Sequence, residues 1–251
     1  MIEAIAERLD HAAFTATAVP QIEEALTLDQ AYEVQRLSLE RRYARGERRV
    51  GIKMGFTSRA KMIQMGVSDM IWGRLTDAMR VTDAGEVNRA RYVHVRAEPE
   101  IAFLIKRPVE GVLSMVEAQG AVEAVAPAIE LIDSRYRDFK FSLTDVVADN
   151  SSSSGFVLGG WAPPALDISN LGMVLQADGN AMEVGSSAAI LGNPWRSLVA
   201  AIRIATEAGE PLKAGDIVMA GGATAAIALA TVRHVRLDTQ HLGRVEFFVK
   251  D

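Results

Sequence analysis

Two acidic residues two positions apart give the first sign of chemistry in this chain. The stretch Arg96-Ala97-Glu98-Pro99-Glu100-Ile101-Ala102-Phe103-Leu104-Ile105 alternates as a β-strand does. It sets Glu98, Glu100, Ala102 and Leu104 on one face and Ile101, Phe103 and Ile105 on the other. Same-face neighbours stand roughly 7 Å apart at Cα, near enough for both carboxylates to reach one cation. They are too near for both to ionise without a partner if buried. Oxygen-only donors suit a hard divalent ion, Mg²⁺ or Mn²⁺, better than zinc. A solvated strand edge, where a proline such as Pro99 is tolerated, is the other reading of the same spacing.

Further groups could join this pair. Residues 127–133 read as a buried strand in which Ile129 and Leu131 share one face and Glu130 takes the other. A carboxylate inside such an apolar run is costly unless it binds a metal or a cation. Glu130 is therefore either a third ligand or the partner of Arg135 or Arg137. Lys53 lies between Gly51 and Gly55. Glycines there leave room for a ligand, or for another backbone, to approach, and an outward-pointing lysine is the plain alternative. The run Asp149-Asn150-Ser151-Ser152-Ser153-Ser154-Gly155 is either a linker or a loop whose hydroxyls and N–H groups hold a carboxylate or enolate oxygen. Asp77 reads equally as a turn former or a functional acid.

The elements that must position these groups follow from periodicity and capping. Ile2, Ile5, Ala6, Leu9 and Ala13 recur at helical spacing and predict a first helix ending near Phe14. Thr27 and Gln30 have capping-box spacing and predict a second helix running to Gly46. The arginines at its end, at positions 41, 42, 45, 48 and 49, suit a solvated face favoured by the helix dipole. Period-two alternation over 50–56 predicts a strand carrying Lys53. Residues 58–65 read as a short helix, 71–79 as loop or short strand, and Ser114 with Glu117 caps a helix expected to reach Ala126 before Pro127. A hairpin turns at Asp178-Gly179. Asn193-Pro194 opens a helix, residues 217–219 form a strand, 221–224 a tight turn, and alternating strands close the chain. Helices first and then mostly strands make the fold α+β rather than a doubly wound sheet.

Composition narrows the chemistry. The 251 residues carry a net charge of −5, which argues against binding nucleic acid or an anionic membrane surface through charge. An anionic substrate needs a local cation. With no cysteine, disulfides, thiol nucleophiles and thiolate-bound zinc are excluded. The four histidines have no paired ligand spacing, and dinucleotide, P-loop and nucleophile-elbow motifs are missing. The acidic N-terminal residues do not read as a signal peptide, no apolar run reaches the roughly 18 residues of a membrane span, and a cytoplasmic location is expected.

Taken in order, several motifs resemble one family. They are Gly51-Ile52-Lys53-Met54-Gly55-Phe56-Thr57-Ser58, Glu98-Pro99-Glu100, Glu130-Leu131-Ile132-Asp133-Ser134-Arg135, Ala148-Asp149-Asn150 and Gly221-Gly222-Ala223-Thr224-Ala225-Ala226. The chain is similar to the hydratase and decarboxylase branch of the fumarylacetoacetate hydrolase family, which serves meta-cleavage degradation of aromatics. Asp133-Ser134-Arg135-Tyr136, followed by Phe139-Lys140-Phe141, resembles the decarboxylases of that branch.

The resemblance implies a β-roll core with a helical N-terminal region: residues 1–80 as helical region packed on the core, residues 81–251 as mixed β-roll catalytic domain. It implies Glu98, Glu100 and Glu130 as ligands of Mg²⁺ or Mn²⁺, Lys53 and Asp77 as catalytic residues, and Ser152 and Thr224 as substrate-binding residues. The implied activity is loss of carbon dioxide from a small dicarboxylate 2-oxo acid through a metal-stabilised dienolate. A hydratase of the same family is the alternative enzyme, and a noncatalytic complex partner a third reading. A homo-oligomer and a complex with the pathway's hydratase are implied by the same resemblance.

Overall fold

In the computed structural model, which describes residues 1–57, 63 and 69–251, the chain opens with helices α1 (Ile2–Thr15) and α2 (Leu28–Ala44). Helix α1 buries Ile5, Ala6 and Leu9 and stops where Ala16 turns left-handed. Helix α2 begins at the expected capping box, Thr27 accepting from the Gln30 N–H and the Gln30 side chain accepting from the Thr27 N–H. The helix expected over 58–65 falls outside the described residues.

Strands β1 (Arg49–Gly55), β2 (Ile71–Thr76), β3 (Arg80–Val81), β4 (Gly85–Asn88) and β5 (Arg96–Ile105) follow. Then come α3 (Met115–Gln119), β6 (Val122–Ile132), α4 (Leu143–Ala148), β7 (Ser153–Leu158), and the hairpin of β8 (Gly172–Ala177) and β9 (Asn180–Ser186). Helix α5 (Pro194–Glu207), β10 (Ile217–Met219), β11 (Ile227–Ala228), β12 (His234–Thr239) and β13 (Gly243–Lys250) complete the chain.

Helix α3 has its capping box but only five residues, and the segment expected to continue it is the start of β6. Alanines at 124 and 126 favour a helix by propensity, but they lie buried in a strand paired with β5. Tertiary pairing overrides a weak local preference.

Two sheets result. The larger runs β2-β1-β10-β5-β6-β7-β3, with β11 also pairing β5, and the smaller runs β4-β13-β12-β8-β9. Strands β1 and β2 lie before residue 80 yet belong to the larger sheet. Helices α1, α2 and α4 pack beside them around Ile71 and Tyr136. One face of the larger sheet, with Ile52, Ile101, Phe103, Ile129 and Val157, shares a core with the smaller sheet and α5. The opposite face carries a smaller apolar cluster of Leu75, Ala102, Ala128, Phe156 and Met219. The lysine and the glutamates extend this second face. Among the described residues, no helix is long and apolar enough to cross a membrane.

Candidate metal centre

Glu98 and Glu100 project from the middle of the larger sheet, not from an edge. Their strand β5 pairs with β6 over its whole length and with β10 and β11 on its other side. Pro99 is accommodated because β10 and β11 are interrupted beside it. Its carbonyl accepts from the Ala223 N–H at 2.8 Å, so its donorless nitrogen faces that interruption, where residues 221–224 turn.

The register places Glu130 of β6 directly across from Glu98, with Glu100 two residues along on the same face. Carboxylate oxygens of the three residues lie within 4.8 Å of one another. Glu100 and Glu130 are fully buried, and Glu98 is half-buried. Glu100 Oε2 accepts from the Gly221 N–H at 2.8 Å, whereas Glu100 Oε1 and Glu130 Oε1 are buried with no hydrogen-bond donor. Buried carboxylate oxygens without donors are expensive unless a cation meets them. Those two carboxylates, with the Glu98 carboxylate facing the same point, fit a hard divalent ion coordinated by oxygen.

Lys53 reaches the same point from β1. In a flat sheet the three strand spacings between β1 and β6 would span roughly 14 Å, yet Lys53 Nζ lies 3.1 Å from Glu130 Oε2. The larger sheet is curled, and its concave face gathers the four groups. Lys53 Nζ also donates to the Ser151 carbonyl at 2.9 Å. Burial works against the ammonium, but Glu130, Glu100 and Glu98 outweigh it and hold Lys53 above the usual lysine range. Burial, with Glu130 alongside, pushes Glu100 well above the usual carboxylate range.

The glycines beside Lys53 make room for the neighbouring strands. A Cβ on Gly51 would meet the Ile217 carbonyl oxygen of β10 at 1.9 Å, and one on Gly55 would meet Ile71 Cγ1 at 2.9 Å. Glu130 pairs with Lys53, while Arg135 takes Asp149 instead, its Nε donating to Asp149 Oδ1 at 2.5 Å and its N–H to Oδ2 at 2.9 Å.

The serine run folds into an unusual turn. Asn150, Ser151 and Ser152 all take left-handed backbone angles, with φ of 50°, 51° and 61°. The Asn150 carboxamide clamps it to β2, accepting from the Arg74 N–H at 2.8 Å and donating to the Arg74 carbonyl at 2.9 Å. The Ser151 hydroxyl donates to the Trp72 carbonyl at 2.7 Å. This leaves the Ser151 carbonyl aimed at Lys53. Nothing in the residue types announces three consecutive non-glycine residues in that conformation.

A cavity of about 430 Å³ opens over the centre, and Lys53, Glu98, Ser152 and Thr224 all line it. Phe139, Phe141 and Arg96 line it too, the Arg96 guanidinium lying over the Phe139 ring. Asp77, expected as a catalytic residue, does not join them. It lies in the short turn after β2, where Oδ1 accepts from the Arg48 N–H at 2.9 Å and Oδ2 pairs with Arg48 Nε at 3.1 Å. Four residues past Gly73, which pairs with Lys53, it stands roughly 13 Å along the strand from the site. Arg96, two residues before Glu98 on β5 and so on the same face, lines the cavity as well.

A second cavity, of about 510 Å³, lies between the N-terminal helices and β3 and β4 and contains none of the expected site residues. Arg42 and Arg45 there are satisfied by Glu47 and Asp10.

Comparison with known proteins agrees with this geometry. Residues 50–250 match the model of the fumarylacetoacetate (FAA) hydrolase C-terminal family. A 4-oxalocrotonate decarboxylase of a Pseudomonas species is 58% identical over 248 residues, covering 98% of this chain and 97% of that protein. A 2-keto-4-pentenoate hydratase of Paraburkholderia xenovorans is 35% identical over 199 residues, covering 78% and 74%. The structure of a 4-oxalocrotonate decarboxylase from Pseudomonas putida G7, complexed with magnesium and adipate, superimposes with a TM-score of 0.94 at 36% identity, covering 99% of this chain and 97% of that one.

Proposed function

This chain belongs to the fumarylacetoacetate hydrolase family, and from that premise we propose that it decarboxylates 2-oxo-3-hexenedioate (4-oxalocrotonate) to 2-hydroxypenta-2,4-dienoate in a divalent-metal-dependent reaction of aromatic catabolism. The observation that carries this reading is the convergence of Glu98, Glu100 and Glu130 on one point beside the Lys53 ammonium, in a cavity large enough for a six-carbon acid. The 58% identity to a named decarboxylase along nearly the whole of both chains supports the choice of reaction.

The reaction breaks the C5–C6 bond and releases C6 as carbon dioxide. The electron pair forms the C4–C5 double bond, the former C3–C4 double bond moves to C2–C3, and the 2-oxo oxygen takes the charge. When bound at the three glutamates, Mg²⁺ or Mn²⁺ supplies Lewis acidity that polarises the 2-oxo group. Lys53 contributes a fixed positive charge close to the acids, held protonated by Glu130 and oriented by the Ser151 carbonyl. That charge stabilises the developing dienolate, and its Nζ proton is placed to complete the dienol. Ser152 and Thr224 line the opening and offer hydroxyls to the substrate. Ile132, Phe139, Phe141 and Val146 form apolar walls that limit water. No nucleophile is needed, in keeping with a chain that has no cysteine.

The second reading is a hydratase that adds water to the dienol product, favoured by the similarity to a 2-keto-4-pentenoate hydratase. Incubating the magnesium-loaded protein with each substrate separates the two. Release of carbon dioxide from the enedioate, abolished by a chelator, supports the decarboxylase. Hydration of the dienol without any carbon dioxide release contradicts it.

The resemblance also supports a homo-oligomer and a complex with the pathway's hydratase. Strand β9 at the edge of the smaller sheet, with Met182 and Val184 exposed, is a surface available to such contacts. Light scattering of the protein alone, then mixed with that hydratase, tests both.

A further inference from the structure

We propose that Arg96 selects dicarboxylates, its guanidinium receiving the carboxylate at the end of the substrate remote from the 2-oxo acid group. The inference rests on the decarboxylase reading and names a recognition element for it. Arg96 precedes Glu98 by two residues on β5, so both side chains leave the same face, and both line the cavity. The guanidinium carbon sits 4.0 Å from the centre of the Phe139 ring.

Among the described residues no carboxylate lies within ion-pair distance of Arg96, and segments 58–62 and 64–68 contain neither aspartate nor glutamate. Among the described residues, the other cation lining the cavity, Lys53, is already paired with Glu130. A half-buried guanidinium stacked on an aromatic ring and lacking an acidic partner is a ready receptor for a planar carboxylate, which it can bind through two parallel hydrogen bonds.

Dimensions agree. Standard bond lengths separate the two carboxyl carbons of an extended six-carbon diacid by roughly 6 Å. Arg96 and Glu98 are roughly 7 Å apart at Cα, and the flexible arginine stem covers the difference. The ring that steadies the guanidinium is fixed by backbone geometry. Asp138 and Phe139 both adopt left-handed angles, with φ of 59° and 56°, which turns Phe139 onto Arg96. Phe141, its ring centre 5.5 Å from that of Phe139, continues the wall.

The contact belongs to binding rather than to bond breaking. The distal carboxylate loses its charge as carbon dioxide forms, so its attraction to Arg96 weakens toward the transition state. An interaction stronger in the ground state acts on KM and does not raise kcat.

The test compares adipate with hexanoate, the six-carbon diacid and monoacid, as competitive ligands of the magnesium-loaded protein. The wild type is expected to bind adipate about 10- to 100-fold more tightly than hexanoate, the usual range for a charged hydrogen-bonded contact. Arg96→Met should bring that ratio close to one with hexanoate affinity unchanged. It should raise KM for the enedioate by a similar factor without lowering kcat. Arg96→Lys should recover part of the ratio, and Arg96→Gln gives the same reading as Arg96→Met if the methionine variant does not fold. A wild-type ratio retained in the neutral variants overturns the proposal, as does an equal weakening of both ligands. Failure of the decarboxylase reading shows separately, as a wild-type protein that releases no carbon dioxide, because the ratio is read from binding alone.

Discussion

Along β5 the side chains of Ile101, Phe103 and Ile105 enter the core shared with the smaller sheet and α5, whereas Glu98 and Glu100, from the same strand, enter the concave face beside Glu130 and Lys53. The first face gathers apolar area and ring contacts, including Phe103 against Trp195 at 4.9 Å between centroids. The second concentrates three carboxylates and leaves buried oxygens of Glu100 and Glu130 without donors. Burial on the apolar face stabilises the sheet. The acid-bearing face opposes folding until a cation is bound. Period-two alternation lets one strand hold both.

If the two faces divide their work in this way, substitutions on them should separate stability from activity. The largest expected effect is on the apolar side. Phe103→Ala should cost about 3–5 kcal/mol of stability, measured by urea unfolding, while the folded fraction keeps wild-type turnover and metal affinity. A variant of normal stability, or one that has lost its metal site while still folded, would break the division.

Next comes the acidic face. Glu100→Gln should weaken metal binding and turnover by at least about a hundredfold, the upper end of what loss of a mere supporting contact costs a metal site. The metal-free protein should unfold at the same temperature as the wild type or higher, because a buried like-charge contact is removed. A metal-free variant that melts well below the wild type would show that Glu100 is structural.

The turn at Asn150 joins the two behaviours and should give an intermediate result. Asn150→Ala removes both carboxamide bonds to the Arg74 backbone. The expected loss is about 1–3 kcal/mol of stability, accompanied by a lower kcat as the Ser151 carbonyl drifts from Lys53. Restoring the carboxamide should restore both. If unfolding and kcat fail to move together, the turn does not position the lysine.

At the small end, Val112→Thr alters a side chain 79% exposed in the loop between β5 and α3. It should change stability by no more than about 0.5 kcal/mol and leave turnover unaltered, as read from the same two assays.

Alternation alone placed Glu98 and Glu100 on one face and Glu130 opposite its apolar neighbours, so the acids of the site were legible in the sequence. Their register was not, because facing Glu98 with Glu130 depends on how β5 and β6 align over ten pairs, a nonlocal quantity. The role of Lys53 was readable only as an alternative. Gly51 admits the β10 backbone and Gly55 the Ile71 side chain of β2, and the burial of Lys53 depends on curling of the sheet. Asp77 misled because a single acid after a strand looks alike whether it caps a turn or meets a substrate, and only the Arg48 contacts decide. The start of β6 was hidden for another reason. Its alanine-rich stretch carries helical propensity, and the pairing with β5 that overrides it is again long-range.

The central claim is that Glu98, Glu100 and Glu130 together hold one divalent ion. Anomalous diffraction from crystals soaked in Mn²⁺ tests it most directly. The account predicts a single strong peak within bonding distance of all three carboxylates, with Lys53 still beside Glu130. A map showing the three side chains turned apart with no peak among them, or a manganese peak elsewhere on the chain and none here, would contradict it.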